Sequence, residues 1–489
     1  MYSAIPPDQG FFLKQSAPAQ NLMNLNAKEE IQMKRIRFLL ALWVAKLARV
    51  AMRILGRNAT YLPGMLALNI CPGFMGQLKM PETVIVVTGT NGKTTVSNFI
   101  ATTLIKNGFS VTNNSLGSNV QAAIATTLLT DSNLAGKATK DIAVLEMDER
   151  SAMLVLPYVK PNYMLCNNIM RDSIRRNAHT GFISFVINKG LPASTKLILN
   201  GDDLVCATLG PDNTDRTYFG IDAEKPEVSA APFVSDIVYC PKCGAKLQSE
   251  YLRYNHIGHL FCPDCGLGVA ERDFLVTKID REANTFTVRH DGIEEEFKLI
   301  NGNIVNIYNL CGAIAALTKM GLSYEQISKG FEGGEIVKSR YDQTQHGDLR
   351  ITMQMAKGLN PIACTRAFNY VADCEGTDKG LIILIDDQRE NIGDSENVCW
   401  QYDCDYSFLA DPSISQIVFT GPRCKDHYLR ALLAGVSEDK IQITFDITGG
   451  DQLMDLNKSK DIYILYDNYS LAEAETTRTK LTKKEKEGK

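Results

Sequence analysis

Short apolar runs alternate with segments of helical spacing along most of the chain. Aliphatic runs at residues 84–87, 142–145 and 380–385 have the length and composition of strands buried in a parallel sheet. Strands that alternate with helices build a mainly parallel sheet with helices on its faces. The pattern therefore predicts an α/β protein, with a central domain over residues 59–335 and a second, smaller α/β domain over residues 340–480.

The two ends of the chain differ from its centre. Residues 1–33 show no apolar periodicity and are expected to be disordered, and the charged residues 481–489 are expected to form a solvated tail. Residues 34–58 predict a basic amphipathic helix, which either packs on the domain or rests reversibly on a membrane surface. Its longest uncharged run is far shorter than the roughly 20 apolar residues that cross a bilayer. The basic face carries Lys46, Arg49, Arg53 and Arg57.

Composition narrows the class of protein. Lysine and arginine total 52 and aspartate and glutamate total 56, so the formal net charge is −4. There is no overall basic field that would bind nucleic acid non-specifically. The chain has 13 cysteines, yet its first 30 residues lack the features of a secretory signal. We therefore expect a cytoplasmic protein whose thiols are buried or bound to metal.

The strongest candidate for catalytic chemistry follows the run at residues 84–87. Residues 88–95 read Thr-Gly-Thr-Asn-Gly-Lys-Thr-Thr, at the point where a strand ends and a helix begins. Backbone N–H groups at a helix N-terminus attract an anion, and glycines let a phosphate approach the backbone closely. The sequence therefore predicts a phosphate-binding loop for ATP. Its residues are Gly89, Thr90, Asn91, Gly92, Lys93, Thr94 and Thr95.

Three residues in and near this loop predict the charges of a catalytic site. Lys93 supplies positive charge to the outer phosphates as a catalytic residue, and the Thr94 hydroxyl is placed to bind Mg²⁺. Glu146 follows the run at residues 142–145 directly. Because open α/β sheets bind ligands at the carboxyl ends of their strands, we expect Glu146 to be a second magnesium ligand.

Four cysteines predict a zinc ribbon, inserted in the central domain at residues 236–270. They are Cys240, Cys243, Cys262 and Cys265. Two C-x-x-C pairs with 18 residues between them are typical of a tetrahedral zinc site, and four thiolates leave no open position for catalysis. Disulfide pairs are the alternative, but they are rare in the cytosol. His256 and His259 lie between the pairs and are expected to be packing or surface residues. No Lys/Arg-rich stripe surrounds the cysteines, which argues against a nucleic-acid-binding ribbon.

The loop at residues 88–95 is two residues shorter than the common G-x-x-x-x-G-K-[ST] pattern. In this form it resembles the ATP loop of the Mur ligases, which join an amine to a carboxylate. The resemblance implies a Mur-ligase-like central domain in which Asn309 faces the adenine of ATP. It also implies that Arg340 reaches the phosphates from the side of the second domain. A capped, alanine-rich buried helix is the alternative interpretation of the segment around Asn309.

Residues 163–173 resemble a second Mur ligase motif, in which Asn168 and Asp172 match. Ser173 and Arg175 depart from it, and Arg175 stands where the family usually has another aspartate. One alternative function is therefore a zinc-ribbon scaffold whose ligase site has decayed. Another is a free-standing Mur-type or folylpolyglutamate-type ligase that adds an amino acid to a carboxylate.

The cysteine-rich insertion and an acidic loop at residues 386–405 narrow the resemblance to the MurT ligases, which are subunits of lipid II isoglutaminyl synthase. This resemblance implies ATP-dependent amidation of the D-glutamate α-carboxylate in the lipid II stem peptide, through an acyl phosphate. It also implies a heterodimer with a GatD-type glutaminase subunit that supplies ammonia. This chain has no evident Cys/His pair for hydrolysing glutamine, which agrees with a separate glutaminase.

The acidic loop itself carries one more expectation from the resemblance. What is known of the MurT family implies that a carboxylate of the ligase subunit orients the catalytic histidine of the glutaminase. Asp394 is the first candidate for this role, and Asp403 is the second. The alternative is that the acids of this loop only keep it solvated.

Overall fold

The structure is a computed structural model of the chain. It describes residues 17–115, 118–172, 179–225, 235–300, 302–332, 341–356, 358–385, 398–467 and 469–487, with side chains from residue 30 onward.

The strands fall into two large sheets and one hairpin. The strands are β1 (Thr83–Thr88), β2 (Val111–Asn113), β3 (Ile142–Glu146), β4 (Tyr163–Cys166), β5 (Lys196–Asn200), β6 (Arg216–Ile221), β7 (Gln248–Tyr254), β8 (Ile257–Phe261), β9 (Phe274–Asp280), β10 (Thr285–His290), β11 (Ile293–Lys298), β12 (Tyr341–His346), β13 (Leu349–Met355), β14 (Lys379–Leu384), β15 (Ile414–Thr420), β16 (Ile441–Thr444) and β17 (Asp461–Tyr466).

Helices connect most of these strands. They are α1 (Ala17–Ile54), α2 (Leu62–Ile70), α3 (Phe74–Gln77), α4 (Lys93–Lys106), α5 (Gln121–Thr130), α6 (Ala152–Val159), α7 (Thr180–Gly190), α8 (Leu204–Ala207), α9 (Ile304–Lys319), α10 (Tyr324–Ser328), α11 (Pro361–Asp373), α12 (Cys424–Leu433), α13 (Gly450–Leu453) and α14 (Leu471–Glu487).

The larger sheet has the order β11-β10-β9-β6-β5-β4-β1-β3-β2. It is parallel from β2 to β9, and β10 and β11 extend it as antiparallel strands. Strand β1 is buried on both faces: Val84 and Val86 pack in one apolar core, and Ile85 and Val87 pack in another. This is why its sequence is a continuous aliphatic run rather than an alternating one. The loop after β1 therefore follows an interior strand, between β4 and β3, at the carboxyl edge of the sheet.

The second sheet has the order β12-β13-β17-β14-β15-β16, and only β12 runs antiparallel to its neighbour. Its two faces are covered by separate apolar cores. The hairpin of β7 and β8 lies between the two C-x-x-C pairs. This architecture confirms the predicted α/β class with a second, smaller α/β domain. The predicted boundary between the domains, from residue 335 to residue 340, lies outside the described residues, so it stays a prediction.

Helices near both ends contradict part of the expected disorder, whereas residues 1–16 and 488–489 lie outside the described residues. Helix α1 begins at Ala17 rather than at residue 34, so residues 17–33 are helical. The charged residues 481–487 continue α14, in which Leu481 and Glu485 are buried. Lys460 bonds the carboxylate of Glu485 at 2.8 Å, so an acid that looks solvated in the sequence is held against the sheet. Among the described residues, no helix combines the length and apolarity required to span a bilayer.

Candidate functional site

The predicted phosphate loop joins β1 to α4. Its two glycines have positive φ angles, +127° at Gly89 and +86° at Gly92. A Cβ atom at Gly92 would lie 2.0 Å from the Oδ1 atom of Asn309, so a larger residue has no room there. The turn therefore requires glycine both for its conformation and for its packing.

A neighbouring segment, residues 167–170 after β4, fixes the shape of the loop. The backbone N–H groups of Thr90 and Asn91 both donate to Asn168, to its carbonyl at 2.9 Å and to its side-chain oxygen at 2.9 Å. The Thr90 hydroxyl donates to the carbonyl of Met170 at 3.0 Å. Thr90 and Asn91 thus use these groups to shape the loop, and their contact with ATP stays a prediction.

Lys93 lies at the first position of α4 with its ammonium folded back over the loop. Nζ donates to the carbonyl of Gly89 and, at 3.2 Å, to the carboxylate of Glu149. Burial alone would lower the pKa of Lys93, but the carboxylates of Glu149, Asp148 and Glu146 outweigh it and raise the pKa above its ordinary value. The lysine is therefore charged at neutral pH.

Those three carboxylates follow one another at the end of β3. Glu146 pairs in register with Val87 of β1, next to the start of the phosphate loop. Its Oε1 atom accepts a hydrogen bond of 2.9 Å from Asn119, which fixes the carboxylate. Hydroxyl and carboxylate oxygens are the ligands that Mg²⁺ prefers, and the donors of Thr94 and Glu146 fit that preference. Their roles as magnesium ligands stay predictions.

Asn309 lies on α9 and is buried beside the loop. Its Oδ1 atom accepts a hydrogen bond of 3.0 Å from Asn167. Asn303, rather than Asn309, caps α9, and its side chain accepts from the N–H of Val305 at 3.0 Å. The structure therefore brings Asn309 to the loop, while its predicted contact with adenine is untested.

The second domain meets the central domain beside this segment. Arg171 forms ion pairs with Asp236 at 2.7 Å and with Asp403 at 3.3 Å. The Asn360 amide donates to Asp172 at 2.7 Å, which also joins the two domains. Asp403 thus faces the central domain of its own chain. The other predicted residues of this edge lie outside the described residues: Ser173, Arg175, Arg340 and Asp394.

The four cysteines of the ribbon come together as the sequence predicts. Their sulfur atoms lie within 4.8 Å of one another, with Cys240 and Cys265 at 3.6 Å and Cys243 and Cys262 at 3.5 Å. A tetrahedral zinc ion bound to four thiolates requires S···S distances of about 3.8 Å, given Zn–S bonds of about 2.3 Å. All four are free thiols, so no disulfide replaces the cluster. The cluster can therefore hold a metal ion.

Backbone groups prepare one of these thiols for a metal. Burial raises the pKa of Cys240, but the N–H groups of Cys243 and Lys242 lower it to about 7 overall. Gly244 and Gly266, directly after each pair, have positive φ angles of +78° and +69°. Each knuckle is thus a tight turn that points two thiols at one position.

A buried ion pair connects the ribbon to the central domain. His256, between the cysteine pairs, bonds Asp203 at 3.0 Å, and neither side chain is exposed. Asp203 also caps α8 and accepts a hydrogen bond of 2.7 Å from the N–H of Ile169. Ile169 lies in the segment that holds the predicted phosphate loop, so one carboxylate links the ribbon to that loop. His259 is half-exposed and pairs with Glu250 at 3.0 Å, as expected of a surface residue.

Two families of known proteins match separate parts of the chain. A family described as the Mur ligase middle domain matches residues 87–236, which include the phosphate loop. A family described as the MurT ligase C-terminal domain matches residues 358–471 of the second domain.

Two curated relatives cover most of the chain. Subunit MurT of the glutamine-hydrolysing lipid II isoglutaminyl synthase of Staphylococcus aureus is 30% identical over 402 residues, which are 81% of this chain and 88% of the relative. The subunit of the same name from Streptococcus pneumoniae is 30% identical over 420 residues, 84% of this chain and 90% of the relative. The chain belongs to the MurT family.

Solved structures support the fold of this MurT-family chain. A pseudomurein peptide ligase type C from Methanothermus fervidus superposes with a TM-score of 0.63 at 20% identity, covering 84% of this chain and 81% of that one. The MurF ligase of Thermotoga maritima, solved with ADP, gives a TM-score of 0.54 at 13% identity, covering 85% and 82%.

Sequence reasoning missed three groups of this MurT-family site. Glu149, which pairs with Lys93, belongs to the acidic run after β3, but the sequence pattern singles out only Glu146 of that run as a ligand. The motif that contains Asn168 gives no sign that this residue holds two N–H groups of the loop. The bond between His256 and Asp203 joins residues 53 positions apart, and no local pattern indicates it.

Proposed function

We propose that this chain is the ligase subunit of a lipid II isoglutaminyl synthase. It would amidate the D-glutamate α-carboxylate of the lipid II stem peptide to D-isoglutamine, using ATP and ammonia from a GatD-type glutaminase. The observation that carries the proposal is a phosphate loop with a charged Lys93, in a chain similar over both domains to relatives that bear this name.

The chemistry follows from the need to activate a carboxylate. A carboxylate is a poor electrophile, so the γ-phosphoryl group of ATP is first transferred to its oxygen to give an acyl phosphate and ADP. Ammonia then attacks the acyl carbon, inorganic phosphate leaves, and the amide remains. Lys93 and the N–H groups at the start of α4 stabilise the negative charge on the phosphoryl group during transfer.

Two metals complete the proposal. Thr94 and Glu146 would hold Mg²⁺, which neutralises charge on the phosphates when it is bound. The four cysteines of the ribbon would hold zinc, because four thiolates close its coordination shell and serve structure rather than catalysis. Because a lipid-linked acceptor lies in a membrane, we propose that the reaction takes place on the cytoplasmic side, at the inner face of that membrane.

The test is amidation by the reconstituted complex. The chain is co-expressed with a GatD-type glutaminase, and conversion of lipid II D-glutamate to D-isoglutamine is followed by mass spectrometry. Amide formation should require ATP together with either glutamine or free ammonia. Transfer of an amino acid instead of ammonia would show a free-standing ligase, and absence of ATP binding would show a decayed site. Either result rejects the proposal.

We propose Asp394 rather than Asp403 as the carboxylate that contacts the glutaminase, since Asp403 pairs with Arg171 of its own chain at 3.3 Å. Asp394→Asn should reduce glutamine-dependent amidation at least about tenfold, because a carboxylate that orients a catalytic histidine is lost. Ammonia-dependent amidation should survive. Asp405→Asn in the same loop is the control, since its carboxylate bonds only the nearby Ser407 among the contacts described. Equal loss with both nitrogen sources would instead place Asp394 in the ligase site.

A further inference from the structure

Helix α1 has two apolar faces, and the described residues cover only one of them. The inner face buries Phe38, Ala41, Leu42 and Ala45 against the domain, with Phe38 stacked on Phe74 at 5.3 Å between ring centroids. The covered face explains why the helix packs on the domain. It does not explain the apolar residues on the opposite side.

The outer face carries a continuous apolar stripe at intervals of three and four residues, the spacing of one helix face. Its members are Ile36, Leu40, Trp43, Leu47, Val50 and Ile54. Their exposed fractions run from 48% at Trp43 to 80% at Ile54. Single exposed apolar residues are common, but a contiguous stripe of six marks an interaction surface.

Basic residues outnumber acidic ones around the stripe, although Glu30 pairs with Lys34 and Asp131 lies near Lys46. Between residues 31 and 57 the sequence contains no aspartate or glutamate. The basic residues of this stretch are Lys34, Arg35, Arg37, Lys46, Arg49, Arg53 and Arg57. Arg35 and Lys46 donate to carbonyls of the domain beneath, at 3.0 Å and 2.6 Å, so they are fixed beside the stripe. A second copy of α1 would bring like charges together, whereas an anionic surface would be attracted.

Trp43 is a third feature of α1 that favours contact with a membrane surface. Its indole N–H donates to the carbonyl of Leu134 at 3.0 Å, while the ring remains half-exposed within the stripe. A satisfied N–H with an exposed ring suits the boundary between lipid headgroups and acyl chains.

We propose that the outer face of α1 docks on the surface of an anionic lipid bilayer. The stripe enters the acyl boundary, while exposed basic residues near its end, Arg53 and Arg57, contact lipid phosphates, each adding roughly fivefold to the affinity. This inference rests on the proposed function for its purpose, which is to hold the ligase next to a lipid-linked acceptor. The docking itself involves only α1 and lipid.

The experiment measures binding of the intact protein to vesicles of equal parts phosphatidylglycerol and phosphatidylcholine, and to vesicles of phosphatidylcholine alone. The protein should sediment with the anionic vesicles, and high salt should weaken this binding. Trp43 is one of two tryptophans, and the other, Trp400, is only 1% exposed. Binding should therefore shift the fluorescence of Trp43 to shorter wavelength, and Trp43→Phe should abolish the shift.

Substitutions distinguish binding through the stripe from non-specific adsorption of exposed apolar residues. Leu40→Glu combined with Leu47→Glu should weaken binding at least about tenfold, since two exposed leucines no longer enter the lipid. Ile293→Glu, at a residue 56% exposed on β11, is the matched control and should bind like the unmodified protein. Equal sedimentation of the double variant would overturn the proposal. So would dimerisation through α1 without vesicle binding, or occupation of the stripe by residues 1–16.

Amidation assays keep this proposal apart from the proposed function. The double variant should amidate a water-soluble, lipid-free acceptor at the normal rate but lose activity on vesicle-bound lipid II. Vesicle binding without any amidation would leave the docking surface standing and reject the proposed function. Normal activity of the double variant on vesicle-bound lipid II would reject the docking surface.

Discussion

The phosphate loop and the cysteine ribbon both follow from short motifs, yet they are held in shape by different means. Hydrogen bonds within each cysteine knuckle hold its shape. The N–H of Gly244 donates to the backbone carbonyl of Cys240 at 2.9 Å, and that of Gly266 donates to the backbone carbonyl of Cys262 at 3.1 Å. The phosphate loop instead depends on Asn168, which is distant in sequence. In the ribbon, the local motif therefore determines its own backbone geometry. In the phosphate loop, the motif supplies the groups that would bind a ligand, but a distant residue fixes the backbone.

The two regions are also connected. Asp203 accepts hydrogen bonds from Ile169, beside the loop, and bonds His256 of the ribbon. Because these groups are buried, loss of either partner would leave a polar atom without compensation. A substitution in the ribbon can thus alter the predicted phosphate loop through the carboxylate of Asp203. The experiments below include a test of this connection.

The largest effect is expected within the loop itself. Lys93→Ala should reduce ATP turnover by roughly 10³-fold, because it removes the charge that stabilises the transferring phosphoryl group. The fold should survive, as judged by circular dichroism, since the described bonds of the Lys93 ammonium are confined to two loop carbonyls and the carboxylate of Glu149. Lys137→Ala, at an exposed lysine elsewhere in the central domain, is the control. Turnover near the normal rate in the Lys93 variant would remove the loop from the catalytic site.

The second effect concerns the ribbon. Cys262→Ser should lower the zinc content from about one ion per chain to near zero and lower the melting temperature, since metal binding supplies folding free energy. Cys399→Ser, at an exposed cysteine outside the cluster, should change neither quantity. Metal analysis that finds no zinc in the freshly reduced protein would contradict the zinc assignment itself.

The sequence alone predicted those parts of the structure whose conformation is determined by residues close together in the chain. The aliphatic run of β1, the glycines of the loop and the spacing of the cysteines each determine a local structure that the fold retains. The helical ends of the chain were missed, because burial of Leu481 and Glu485 is decided by the sheet beneath α14. Glu149 and Asn168 were missed as partners for the same reason: their contacts are set by tertiary packing.

A third experiment tests how far the loop depends on its distant support. Asn168→Ala should raise the KM for ATP about tenfold with a smaller change in kcat, since the N–H of Asn91 loses its side-chain acceptor and the carbonyl of Asn91 loses its amide donor. The bond from the Thr90 N–H to the backbone carbonyl of residue 168 should remain. Asn107→Ala, at the far end of α4, is the control, because its amide bonds only the carbonyls of Thr103 and Gln326 among the contacts described. An unchanged KM in the Asn168 variant would mean that the loop, like a cysteine knuckle, holds its own shape.

The smallest effect tests the connection through His256. Burial lowers the pKa of His256, but the carboxylate of Asp203 outweighs it and raises the pKa above the ordinary value of 6.5. A raised pKa in the folded state gives stability that is fully present below about pH 6.5 and is lost as the pH rises through the folded value. The melting temperature of the unmodified protein should therefore exceed that of His256→Gln by a few degrees at pH 6, and the gap should shrink at higher pH. His259→Gln is the control, because this half-exposed histidine pairs with the exposed Glu250 and an exposed ion pair contributes little to stability. A gap for His256→Gln that stays constant with pH would show a neutral packing histidine, and the ribbon would then influence the loop through shape alone.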